Sequence, residues 1–181
     1  ADLKNTRVVC RSGSPIDLTD LEMVNPQAAR SIIVLSPFTL EPDSQTIKTV
    51  LALTNGFNRK AEPYHIVAEI RDEKNLEAAR LVGRDEAHFI LASDLISRIT
   101  VQTCRQSGLS VVYTELLDFG GDEIYFKEEP SLVGQSYAKA LYSYDDSTVM
   151  GIAKADATVL VNPPSDTKIE VGDHLICISQ D

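Results

Sequence analysis

The residues best suited to chemistry in this chain recur just after runs of apolar residues: Arg11, Ser36, Glu41, Asp43, Glu69, Asp72, Ser93 and Asp94. If those runs are parallel strands, these positions line the crevice beyond the strands' carboxyl ends, where open α/β sheets bind ligands. Arg11, Ser36, Glu69 and Asp94 then form a candidate site for a small polar ligand, and Glu41, Asp43, Glu69 and Asp72 a candidate metal site. Calcium suits the second set, because it accepts about six to eight oxygens in loose geometry, so that main-chain carbonyls and water can supplement loop carboxylates. Helix capping is the competing role for Asp43, Asp72 and Asp94, and a cap can also face a ligand.

Catalytic patterns are missing from the sequence. His65, His88 and His174 stand within or beside apolar runs without the spacing of a metal or protease motif, and are expected to be structural or surface residues. Ser12 and Ser14 flank Gly13 in a turn, with no histidine placed by sequence to activate either. Neither G-x-G-x-x-G nor G-x-x-x-x-G-K-[ST] occurs, so this stretch holds no loop to cradle NAD or ATP. A non-enzymatic protein without a cofactor, other than a possible Ca2+, is expected.

Composition narrows the class further. With 181 residues, 43% of them hydrophobic, the chain can bury a substantial core in one or two domains. No apolar run approaches the roughly 18 residues needed to span a bilayer, and no signal peptide precedes the first strand. A formal charge of -10 opposes a phosphate backbone, which excludes nucleic acid as an expected partner. Cys10, Cys104 and Cys177 are odd in number and lie in apolar segments, as buried thiols of an intracellular protein would.

The elements that must position these residues can be read in order. A strand at 8–10 runs into Arg11-Ser12-Gly13-Ser14-Pro15, a turn in which Gly13 is expected to have positive φ or a close neighbour and Pro15 to fix the exit. Thr19 and Glu22 form a capping box with Leu18 and Met23 as its staple, Asn25-Pro26 stops the helix, and an unalternating strand at 31–35 should be covered on both faces. A helix capped by Asp43 or Ser44 runs to Thr54 and ends at Asn55-Gly56; a strand at 64–70 leads to a helix at 73–82 capped by Asp72 and closed by Gly83. A strand at 88–91 precedes a helix capped by Ser93 or Asp94, broken at Gly108, and a second helix spans 110–117. Leu95, Ile96, Ile99 and Val101 give the longer helix a broad apolar face, expected to be an oligomer interface. Beyond Gly121 come short strands at 124–127, 149–153, 158–161 and 174–178, with a helix near 135–141. The expected fold is α/β: an incomplete Rossmann-like doubly wound parallel sheet over 1–121, lacking its first βαβ, followed by a small α+β lobe over 122–181. That gap implies either a longer polypeptide or a reduced fold whose sheet edge a partner completes.

The run R-S-G-S-P, then D-L-x-x-V, then A-A-R-S-I-I-V-L within 8–35 resembles the cytosolic regulatory domain of Castor/Pollux ion channels, itself similar to the RCK modules that regulate potassium conductance. The likeness continues through Ala68-Glu69, Ser93-Asp94-Leu95-Ile96-Ser97-Arg98 and the Gly172-Asp173 turn. It implies a Rossmann-type lobe, a helical crossover that pairs subunits, and a C-lobe, assembled as a homo-oligomeric ring at the cytoplasmic face of a membrane beneath a pore from the same polypeptide. The places that hold calcium in gated relatives correspond here to Leu35, Glu69 and Arg71, and only Glu69 is a carboxylate. The function expected is gating of a cation channel, potassium-conducting or calcium-regulated, by a small ligand or ion. The alternatives are a regulatory subunit of a potassium transporter and a fragment of a nucleotide-dependent enzyme.

Overall fold

The computed structural model describes residues 7–118 and 120–180. They form two compact units, Ala1–Val101 and Gln102–Asp181, dividing inside a helix, whereas the sequence suggested a boundary after Gly121.

The first unit is a three-stranded parallel sheet in the order β1-β2-β3, with β1 Ile32–Val34, β2 Ile66–Ile70 and β3 Ala87–Leu91. Helices α2 (Pro42–Thr54) and α3 (Leu76–Gly83) connect the strands. Val34, Ile66, Ala68 and Ala87 pack with Val50 and Leu53 of α2 and with Tyr64 into one core. The α/β class expected from the sequence is therefore present, with apolar runs of β-branched residues making the strands.

Three local expectations fail, each for a physical reason. Residues 8–10 are exposed and irregular: among the described residues no strand pairs with them. Asp17, not Thr19, caps α1 (Leu18–Glu22), its Oδ1 accepting from the N–H of Thr19 at 2.8 Å and of Asp20 at 3.3 Å, so the capping box does not form. Glu22 is instead bonded by the side-chain amide of Asn58. Coverage of β1 on both faces also fails: the helices sit on one face only, and Ile33, Leu35 and Ile90 stay exposed on the other. The helix stop at Asn25-Pro26 does hold, with Asn25 at φ 50° and a 3-10 turn Pro26–Ala28 after it.

Of the two roles expected for Gly13, close approach is the one observed. A Cβ there would lie 3.0 Å from Asp20, whose carboxylate accepts the Ser14 N–H at 2.7 Å. Gly13→Val should push that side chain away and lose the bond, lowering stability by about 1 kcal/mol and the denaturant midpoint with it; an unmoved midpoint would count against the contact.

After β3 the chain enters α4 (Ala92–Arg105) directly, so neither Ser93 nor Asp94 caps it. Gly108 (φ 89°) separates α4 from α5 (Leu109–Leu116). The second unit then folds as a four-stranded antiparallel sheet, order β4-β7-β5-β6, from β4 (Glu123–Glu128), β5 (Thr148–Ala153), β6 (Val159–Val161) and β7 (His174–Ser179), with the short helix α6 (Tyr137–Ala140) between β4 and β5. Leu132, Tyr137, Val149, Ile152, Ile169 and Leu175 make its core. β7 lies between two neighbours and is buried at Leu175, Ile176 and Cys177, which explains its weak alternation. Only Cys177 is buried; Cys10 and Cys104 are exposed, against the expectation of three buried thiols. Among the described residues no helix is long and apolar enough to cross a membrane.

Candidate functional site

At the carboxyl ends of β1 and β2, five of the residues singled out from the sequence meet: Ser36, Asp43, Glu69, Asp72 and Ser93. Ser36, the second residue after β1, gives its N–H to Glu69 Oε2 at 2.9 Å. Arg71, just past β2, donates through Nη2 to the Ser36 carbonyl at 3.1 Å, stands 3.7 Å from Glu69 Oε1, and lies over the Phe38 ring at 5.2 Å. Asp43 lies in the first turn of α2 and is 3% exposed. Its Oδ1 accepts the Arg71 N–H at 2.9 Å, and its Oδ2 accepts the Asp72 N–H at 2.9 Å and the Asn75 amide at 2.8 Å. From the start of α4, Ser93 Oγ donates to the Arg71 carbonyl at 3.0 Å.

These bonds decide what the cluster can hold. Burial pushes the Asp43 carboxyl up, but the Asn75 amide, the Arg71 and Asp72 N–H groups and the Arg71 charge outweigh it and keep the group below its ordinary value. A carboxylate whose two oxygens already face three donors has little left for a cation. Asp72 is likewise occupied, its Oδ1 accepting from Lys74 N–H at 3.0 Å, and Glu41 is exposed at the α2 N-cap without a capping bond. The calcium site drawn from Glu41, Asp43, Glu69 and Asp72 is thus corrected: among the described residues no three His, Cys, Asp or Glu side chains gather where they could hold a metal ion.

The polar-ligand set is partly assembled. Ser36 and Glu69 meet, whereas Asp94 pairs with Arg98 at 2.6 Å and Arg11 gives its Nη1 to its own neighbour, the Cys10 carbonyl, at 3.0 Å. Ser36 Oγ is buried with no hydrogen-bond partner, and the partly exposed Arg71 guanidinium keeps donors to spare. What this crevice offers is therefore a free hydroxyl and a cationic fork, suited to a polar ligand carrying acceptors. Sequence reasoning missed Asn75 and Phe38 as members. Arg71 entered it only as one of the places that hold calcium in gated relatives, not as a donor to the Ser36 carbonyl. His65 and His88, whose rings meet edge to face at 5.8 Å, lie exposed at the opposite ends of the strands.

Comparison with known proteins places the chain. It is 35% identical over 184 aligned positions, 99% of its length, to the probable ion channel CASTOR of Oryza sativa subsp. japonica. The chain is a relative of the Castor and Pollux ion channels. It is similarly 35% identical to the ion channel CASTOR of Lotus japonicus and 33% identical to the probable ion channel POLLUX of Arabidopsis thaliana, each over 99% of this chain. The family model described as "Castor and Pollux, part of voltage-gated ion channel" matches residues 93–181. Among solved structures, the GsuK RCK domain covers 100% of this chain with 37% of its own, at 21% identity and a TM-score of 0.41. The chain spans about a fifth of the length of the CASTOR relatives it matches.

Proposed function

We propose that this chain is part of the cytosolic regulatory region of a Castor/Pollux-type cation channel, in which a small polar ligand at the Ser36–Glu69–Arg71 crevice biases a homo-oligomeric assembly and, through it, a pore in the same polypeptide. The alignment with channel relatives along 99% of the chain carries this reading. The crevice supports it, since a free buried hydroxyl beside a guanidinium is left unsatisfied without a ligand. A ligand shifts such an equilibrium only by its difference in affinity for the two states.

Recording single channels of the complete gene product tests this. Ser36→Val and Arg71→Gln should each change open probability at least about threefold while unitary conductance and ion selectivity stay unchanged, because a regulatory ligand biases opening and does not line the path of the ion. Unchanged open probability in both variants would overturn the proposal.

Assembly has its own support in α4, where Leu95 and Val101 are exposed and Ile96 is 64% exposed, with Ile99 half-buried beside them. Val111 and Val112 of α5 are exposed as well. An apolar face of this kind is the usual mark of a partner surface. Sedimentation should show dimers or larger species at micromolar concentration, and Ile96→Glu should yield monomers with an unchanged melting temperature; a wild-type monomer at high micromolar concentration would refute the interface.

A further inference from the structure

The second unit has a cavity of its own, about 380 Å3 in volume, on the core-facing side of the β4–β7 pair. Tyr125 of β4 stands opposite Cys177 of β7 in the antiparallel register, and both line it. Lys127 and Ser179 each lie two residues further along their own strands, on the same face, and antiparallel strands carry them away from that pair in opposite directions. The cavity therefore has a Lys127 end and a Ser179 end, about 13 Å apart along the strands. Tyr144, from the loop before β5, walls the first end, and Ser147 the second.

Each end has hydrogen-bonding capacity of one kind only. Lys127 Nζ lies over the Tyr144 ring at 4.7 Å and 3.3 Å from Glu129 Oε2, and that carboxylate also accepts from Ser131 Oγ at 2.7 Å and Tyr144 Oη at 3.1 Å. An ammonium has three donors, so two remain for an acceptor in the cavity. At the other end Ser147 Oγ donates to Ser179 Oγ at 3.0 Å, which in turn donates to the Gln180 carbonyl at 3.0 Å. Both hydroxyl hydrogens are thus spent, and the lone pairs that are left accept from a donor. Between the ends the surface is apolar and flat: the two tyrosine rings form it together with Cys177, whose thiol burial pushes up and keeps neutral. Among the described lining residues Lys127 is the one charged side chain.

We propose that this cavity binds a small planar aromatic acid bearing a hydroxyl at the end opposite its carboxylate. The carboxylate meets the spare donors of Lys127, the ring lies over Cys177 beside the two tyrosines, and the hydroxyl donates to the Ser147–Ser179 pair. A single ammonium, shared with Glu129, matches a monoanion better than a phosphate dianion. Hydrogen bonds of about 2.8 Å at each end leave about 7 Å of the span, which suits a single ring substituted at opposite positions, as in 4-hydroxybenzoate. The volume is that of an ordinary small-molecule site. The site lies within the second unit and is independent of what the strand-end crevice binds.

Calorimetric titration of the complete gene product with 4-hydroxybenzoate, benzoate and phenol tests it. The first should bind with a dissociation constant below about 100 μM, and each of the others, lacking one end, at least about tenfold more weakly. Lys127→Met keeps the stem and removes the charge; it should weaken 4-hydroxybenzoate and benzoate about tenfold and leave phenol unchanged. Ser179→Ala should do the reverse, weakening 4-hydroxybenzoate and phenol while sparing benzoate. The wild-type comparison of the three probes needs no variant and stands even if a variant misfolds. Occupancy should also slow alkylation of Cys177, read by peptide mass, while the exposed Cys10 and Cys104 react at unchanged rates. Ser36→Val should leave all of these affinities unchanged. No heat from 4-hydroxybenzoate at millimolar concentration would overturn the proposal, as would binding that Lys127→Met does not weaken or that leaves Cys177 alkylation unaltered.

Discussion

Asp43→Ala should be among the most damaging single changes in the first unit, because one buried carboxylate fastens the start of α2 to the turn after β2. Its removal leaves the N–H groups of Arg71 and Asp72 and the side-chain amide of Asn75 without their acceptor. Each buried donor left unsatisfied costs roughly 1–3 kcal/mol, and water entering the vacated space offsets part of that, so a total of about 3–4 kcal/mol is expected. For a chain of this size the melting temperature should fall by about 10 °C. Asp43→Asn keeps one acceptor oxygen but sets its NH2 against a donor, and should cost about half as much. The pH dependence has a definite sign. The folded carboxyl titrates below its ordinary value of 3.8, so its contribution is complete above pH 3.8 and is lost as pH falls through the folded value. Asp43→Ala should lack this loss. Melts of wild type and variant from pH 7 down to pH 3 read both effects; a variant within 1 kcal/mol of wild type at pH 7 would remove Asp43 from the fastening.

The sequence located the strands and helices well and the contacts between them poorly. β2, β3, β5 and β7 were legible because each is an apolar, β-branched run between turn residues, a local property. The irregular path of 8–10 was not, since V-V-C reads as a strand and only the missing neighbour denies it. Asp43 shows the same limit at the candidate site. An aspartate beside a proline at a helix start reads as a cap, but its partners lie at 71–75, and nothing in spacing or composition joins them. Capping and cation binding were weighed for it, while the observed role, acceptor for a distant loop, was neither. Ser36 and Glu69 were found because strand ends are predictable; the place of Arg71 was noted but its role was not, because a guanidinium folded over Phe38 and onto the Ser36 carbonyl depends on tertiary path. Gly151 is a further case. A Cβ there would run into the Leu160 carbonyl across the β5–β6 pair, next to an irregular register between Val149 and Gly151, and a sequence does not display cross-strand approach.

The second unit has its own fastening, and breaking it should show a pH dependence of a different kind. Lys154 Nζ lies 2.8 Å from Asp173 Oδ2 and 3.0 Å from Glu170 Oε2, and donates to the Lys168 carbonyl at 3.2 Å. Asp173, placed by Gly172 at φ 86°, also accepts the N–H of Glu170 at 2.8 Å and of Ala155 at 3.3 Å, and its side chain is 2% exposed. Burial pushes the Asp173 carboxyl up, but the Lys154 ammonium together with those N–H groups holds it below 3.8; the hydrogen bond to Asp173, ahead of that to Glu170, lifts Lys154 above 10.5. The pair therefore stabilises fully between these ordinary values, weakening as pH falls below the first or rises above the second. Lys154→Met leaves a buried charge without its counterion, a change that costs about 3 kcal/mol at pH 7. In that variant burial prevails and the Asp173 carboxyl moves upward, so protonation relieves it and the deficit against wild type should shrink toward pH 4. Asp173→Asn alone should cost about 2 kcal/mol, because it weakens the acceptor but leaves no buried charge. Adding Asp173→Asn to Lys154→Met should then recover about 1 kcal/mol rather than lose more, as coupled neighbours do. Denaturant melts of the four proteins at pH 7 and pH 4 decide it: additive losses at pH 7, or a Lys154→Met deficit that does not change with pH, would show that the ammonium does not hold the Asp173 charge in place.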